Sequence, residues 1–202
     1  MTRLLLAAVL ATAFAGSATA ATYRIDPRHT QVHFTYSHHG YAHLSGRLGE
    51  ASGEIEFDPA NPAASSVRVQ LPLSSLSTGA PKLDTHLASA DFFEVEKFPT
   101  ASFASTKVTV RDATHLDVAG DLTMHGVTRP IVLAVTVNKV GEHSMSKAQM
   151  AGFDAVATIR RSEFGIGRMV PAVSDEVQIR ISTESQVPKP EATAPAGAEK
   201  KG

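Results

Sequence analysis

The sequence predicts an all-β fold, either a closed antiparallel barrel or two packed sheets. Three observations predict it. Apolar and polar residues alternate with a period of two in run after run, which places one apolar face on each of many short strands. Turn-forming clusters such as Asp58-Pro59-Ala60-Asn61-Pro62 separate several of these runs. A set of strands with one apolar face each must close on itself or stack as two layers, because open edges invite aggregation.

Along the chain, Arg3 precedes an apolar run from Leu4 to Ala15, and Ala18-Thr19-Ala20 follows it. That pattern reads as a secretory signal over residues 1–20, cleaved before Ala21, so the mature protein is expected to be exported and soluble. The run falls short of the roughly 20 apolar residues that a membrane-spanning helix needs. One domain is expected over residues 21–186. Its strands are read from Tyr23 and Ile25; Val32, Phe34 and Tyr36; Ile55 and Phe57; and Val67, Val69, Leu71 and Leu73. Phe103 with Val108 and Val110 follows, then Leu116, Val118, Gly120 and Leu122, which a Gly-containing turn joins to Ile131, Leu133, Val135 and Val137. Phe153, Ala155, Ala157 and Ile159, then Val177, Ile179 and Ile181, close the series. One segment, Pro81 to Val95, spaces Leu83, Leu87 and Ala90 by three or four and reads as a short helical insertion. Beyond Val187 the composition turns to Pro, Ala, Glu and Lys, so residues 187–202 are expected to be a disordered tail.

Composition excludes several functions. The chain holds 19 Lys and Arg against 20 Asp and Glu, a balance that creates no field to draw nucleic acid or an anionic membrane surface. Cysteine is absent, which removes disulfides, thiolate ligands and a thiolate nucleophile. Nine His residues include His29, His33, His38, His39 and His43 in one stretch, the basis for an alternative reading as a metal-binding protein. Gly40 breaks that run, and it lacks carboxylates at ligand spacing, so polar-face and turn roles are favoured and no metal site is assigned. His125 and His86 have no local nucleophile and no GxSxG elbow accompanies them, so no catalytic residue is assigned and no enzyme is expected.

Gly120-Asp121-Leu122-Thr123-Met124-His125-Gly126-Val127-Thr128-Arg129-Pro130-Ile131 closely resembles the strand-turn-strand signature of the YceI family. Four further blocks are similar in type and order: Tyr23 to Thr30; Ser74 to Thr78 with Asp84 to Phe93 and Phe98 to Phe103; Arg161 to Ile166; and Val173 to Val177. The resemblance implies a closed up-and-down lipocalin-like barrel of about eight strands around an elongated apolar pocket. It also implies a periplasmic, non-catalytic protein that binds, stores or transports a long isoprenoid lipid, such as an isoprenoid quinone or polyprenyl precursor, and needs no cofactor. Under that reading Phe34, Tyr36, Ile55, Phe57, Val69, Leu71, Phe103, Leu122, Leu133, Phe153 and Ile159 line the pocket, with Phe92 and Phe93 near a mouth. Lipid would exchange with a membrane, an isologous homodimer is the prior for such a domain, and a membrane redox partner follows only by analogy with quinone use. The alternative is a periplasmic metal-binding or stress-response interaction protein whose barrel is filled by its own side chains.

Overall fold

The computed structural model describes residues 20–189. The expected signal peptide lies outside the described residues except for Ala20, and so does the expected tail beyond Lys189. Nine strands form one antiparallel sheet: Ala21–His38 (β1), Ala42–Leu48 (β2), Ser52–Phe57 (β3), Ser66–Pro72 (β4), Thr100–Val110 (β5), His115–Met124 (β6), Val127–Glu142 (β7), Gln149–Arg160 (β8) and Glu176–Gln186 (β9). From β3 to β9 each strand pairs with the next, and β9 returns to pair with β1, which closes the barrel. Strands β2 and β3 both lie on the same side of β1, β2 along Val32 to His38 and β3 along Ala21 to Arg24. Eight strands therefore complete the wall and β2 is an extra one over the upper half of β1.

Parity decides which side chains enter. Tyr23, Ile25 and Val32 of β1, Phe103 and Val108 of β5, and Leu116, Val118 and Leu122 of β6 are all buried. β1 runs unbroken through Asp26-Pro27 by bulging: Ile25 faces Ser185 and Thr30 faces Thr183, so five residues of β1 span two of β9. A second irregularity between Ser105 and Lys107 in β5 moves the inward face from Phe103 to Val108, and Val110, on that same face opposite Leu116, is exposed because β5 ends there. Pro130 sits inside β7, where a ladder amide would normally be needed. It is tolerated because β8 pairs with β7 only from Ala134 onward, leaving that edge free.

The helical insertion is shorter than the sequence spacing suggests: Pro81–Ala88 is helical (α1) and residues 89–98 are turns. Ser89 is extended, its hydroxyl and amide both bond the His86 carbonyl, and Glu94 has φ 46°, so the backbone leaves the helix at that point. With the 3₁₀ turns Leu73–Ser75 and Arg161–Phe164, this segment covers the barrel end at which β4, β6 and β8 finish. Leu73, Leu87, Met124, Phe164 and Ile166 are buried there and form a plug.

Candidate functional site

Inside the barrel lies a cavity of about 160 Å³. Its wall is drawn from all the strands except β2, with Ile25 and Val32 of β1, Val118 of β6 and Ile181 of β9 among the contributors. Four wall residues carry hydroxyls, and each is engaged with the protein. Thr30 and Thr183 bond each other at 2.7 Å, Ser65 Oγ accepts the Asp58 amide at 3.4 Å, and Ser66 donates to Glu56 Oε2 at 3.0 Å. The wall includes no Asp, Glu, His, Lys or Arg. Such a space offers a ligand dispersion contact and freedom from water but almost no polar anchor. An engineered apolar cavity of about 150 Å³ stays dry and takes up benzene. By that measure the barrel in this closed state holds about one ring or one short branched segment.

Eight of the residues predicted from sequence lie on the wall: Ile55, Phe57, Val69, Leu71, Phe103, Leu122, Leu133 and Phe153. The structure sets five others apart from it. Phe34 and Tyr36 follow Val32 on the same face but stand farther along the barrel axis, half-buried, their rings stacked 6.4 Å apart at 14°. Ile159 points inward but is packed into the core near the plugged end, and Phe92 and Phe93 are half-buried against that core in the turns after α1. Sequence reading passed over the wall residues Thr30 and Thr183 because they are polar; their two-residue step from Val32 and Ile181 is the signal that would have found them.

Around the plugged end the polar groups serve the backbone. The Arg161 guanidinium is buried and donates from Nε to Ser174 O, from Nη1 to Ile166 O and Arg168 O, and from Nη2 to Val173 O. Loss of solvent lowers its pKa, and burial raises that of the Tyr36 phenol, against which the Arg161 charge acts. Asp84 accepts from the amide and hydroxyl of Thr78, which ties the start of α1 to the preceding loop. Asp91 lies between His86 Nε2 at 3.2 Å and Arg168 Nη1 at 3.0 Å. The histidines of the 29–43 stretch scatter: His29 contacts Asp26, His33 contacts Gln31, and His38 meets His39 edge-on. Among the described residues no three His, Asp or Glu side chains converge as a metal ion would need.

A YceI-like domain model matches residues 23–185, the whole barrel. The chain belongs to the YceI family. It is 41% identical over 171 residues to a UPF0312 protein of Enterobacter sp. strain 638, an alignment covering 84% of this chain and 88% of that one. It is 40% identical over 172 residues to the protein YceI of Escherichia coli O157:H7, covering 84% and 89%. Among solved structures, BcnA of Burkholderia cenocepacia superposes with a TM-score of 0.72 at 26% identity over 79% of this chain and 98% of that one. A polyisoprenoid-binding domain from Saccharophagus degradans superposes with a TM-score of 0.65 at 17% identity, over 84% and 99%, and shares the fold. No described helix of this YceI-family chain is long and apolar enough to cross a membrane.

Proposed function

We propose that the protein binds the hydrocarbon tail of an isoprenoid lipid inside its barrel and carries it, without chemistry, between membrane and partner in the periplasm. The observation that carries this reading is the cavity wall itself, apolar throughout and with its four hydroxyls already bonded within the protein. A tail needs such a wall; a reacting substrate needs more. The structural neighbour from Saccharophagus degradans, described as polyisoprenoid-binding, supports the ligand class. Burial of apolar area contributes about 25 cal/mol per Å², or about 0.8 kcal/mol per CH₂, so one five-carbon unit grosses about 3–4 kcal/mol relative to water. A tail leaving a bilayer is already out of water, so the net change on transfer is small and the protein exchanges lipid instead of trapping it. A quinone or a polyprenyl precursor satisfies these terms equally.

At about 160 Å³ the closed cavity takes only part of a long tail, so binding requires wall side chains to swing aside. Half-buried inward residues such as Ile131 and Ile179 are the ones with room to do so. Mass spectrometry of an organic extract from gently purified native protein tests the reading. One polyprenyl or quinone species at stoichiometric level supports it. Folded, monodisperse protein that carries no lipid and takes up none from quinone-loaded vesicles overturns it in favour of a dry barrel that acts through its surface.

A further inference from the structure

We infer that the barrel fills from the side, through a seam between β7 and β8 that admits the branched hydrocarbon tail of the lipid. The inference deepens the carrier reading and rests on it. β7 pairs with β6 from Val127 to Thr136, and β8 pairs with β9 from Met150 to Arg160. Between β7 and β8 the ladder runs only from Glu142 opposite Gln149 to Ala134 opposite Val156. Val127 to Leu133 on one strand and Ala157 to Arg160 on the other therefore edge a seam that no ladder pair crosses. It starts at the Ala134–Val156 pair. Near the plugged end it is bridged by the hydrogen bond from His125, in the turn between β6 and β7, to the Phe164 carbonyl, in the 3₁₀ turn that follows β8.

Both sides of the wall are apolar along this seam. Inside, Ile131 and Leu133 of β7 and Ala155 of β8 are on the cavity wall, and Ala157 shares their inward face. Outside, Val132 and Val156 are 53% and 51% exposed, and among the described residues they are the large apolar side chains left exposed on outward strand faces. A single exposed valine is ordinary; one on each side of a break in the ladder, each next in sequence to a wall residue, marks a path. The wall also yields most cheaply here. Widening a laddered junction breaks hydrogen bonds, whereas β7 can swing away from β8 along the seam without breaking a ladder bond. An unpaired sheet edge would ordinarily invite another strand, and this one is built against that: Pro130 has no amide to donate, and Arg129 Nη1 takes the Thr128 carbonyl at 3.1 Å. A hydrocarbon tail asks for no hydrogen bonds and fits an edge that refuses a strand.

The chain has no cysteine, so paired substitutions give defined staples. Val132→Cys with Thr158→Cys spans the seam, and both positions are exposed. Thr158→Cys with Gln178→Cys uses the same place on β8 but joins it to β9, where Thr158 and Gln178 already pair. Each pair is closed with a short bismaleimide, and uptake of an isoprenoid quinone from phosphatidylcholine vesicles is timed before and after closure. The seam staple is expected to slow uptake about tenfold or more, and the β8–β9 staple to leave it unchanged. Equal rates with the two staples overturn the inference, and slowing by Val110→Trp would then place the mouth at the barrel end where β5 stops. A dimer in sedimentation that Val132→Ser dissolves also overturns it, since a second copy would then cover the two valines. Wild type that takes up no quinone removes the carrier reading, and the seam's role with it. A barrel that fills at the full rate with its seam stapled keeps the carrier reading and loses the seam, so the two failures are distinguishable.

Discussion

His125 and Phe164 fasten two barrel-end segments to each other: the His125 Nδ1–H donates to the Phe164 carbonyl at 3.0 Å across 39 residues of sequence. A carbonyl only accepts, so the neutral ring carries its proton on Nδ1 and presents a lone pair at Nε2. That Nε2 is buried without a partner, 3.6 Å from Glu94 Oε2 and beside the Phe98 ring. His125 and Gly126 hold φ 53° and 73°, the two positive values of a two-residue hairpin turn between β6 and β7.

Replacing His125 separates the hydrogen bond from the backbone. His125→Gly keeps the turn and loses the bond to Phe164, a cost of about 1–3 kcal/mol. His125→Ala adds the penalty of a Cβ in the left-handed region, about 1 kcal/mol more. Urea unfolding is expected to rank wild type above Gly above Ala. Equal stability of Ala and wild type, which both place a Cβ in the left-handed region, would show that the bond holds nothing.

Gly46 and Gly120 each lie under a phenylalanine ring, yet their substitution should behave differently. The nearest atoms to a Cβ on Gly46 would all belong to the Phe34 ring, whereas on Gly120 it would meet both the Phe103 ring and the backbone carbonyl of Ala104. Gly46→Ala is expected to cost about 1–3 kcal/mol and to become nearly neutral in a Phe34→Leu background. Gly120→Ala is expected to stay costly beside Phe103→Leu, because the carbonyl cannot yield. Two double-mutant cycles on thermal or urea stability measure the coupling. Strong coupling in the first cycle and weak in the second is the expected pattern; the reverse would refute the packing account.

Period-two alternation made β6 through β9 legible, and with them the closed wall, because each of these strands buries one face. Parity reports a face but not a height along the barrel axis, which is why Phe34, Tyr36 and Ile159 were grouped with residues that reach the cavity. The same blindness to height covers Val110, which shares the inward face of Val108 and pairs with Leu116 but is 44% exposed because β5 ends there. The helix was overextended because Ala90 kept the spacing of Leu83 and Leu87, while the stop came from the Ser89 hydrogen bonds to His86, which periodicity does not register.

Asp26 makes the bulge in β1 sensitive to acid. Its side chain is 13% exposed and accepts from His29, from the Arg28 amide and from the Arg28 guanidinium, which hold its pKa down to about 2 against the loss of solvent. The folded value lies below the ordinary carboxylate value of about 3.9. The contact therefore stabilises fully above about pH 4 and is lost as pH falls through about 2. Arg28 and His29 are exposed, so the contribution is held to about 1 kcal/mol or less. Melting of wild type and Asp26→Asn is expected to differ at pH 6 and to converge toward pH 2. A constant difference over that range would mean that the carboxylate's charge is irrelevant.

Filling and emptying the cavity should separate stability from capacity. Val118 is 6% exposed and on the wall, and Val118→Phe inserts a ring into a space of about 160 Å³. The added ring displaces no bonded polar group, so folding is expected to survive within about 1–3 kcal/mol while uptake of a prenyl lipid from vesicles falls sharply. Phe153→Ala acts in the other direction. Its ring meets Phe57 edge-on at 5.3 Å, so truncation removes that contact and enlarges the void at a cost of about 3–5 kcal/mol, while the space left for a tail increases. Calorimetry and lipid uptake on the same samples are then expected to move in opposite senses: a stable barrel that binds little, and a weaker barrel that binds at least as much. If Val118→Phe took up lipid as well as wild type, the tail would have to lie outside the barrel.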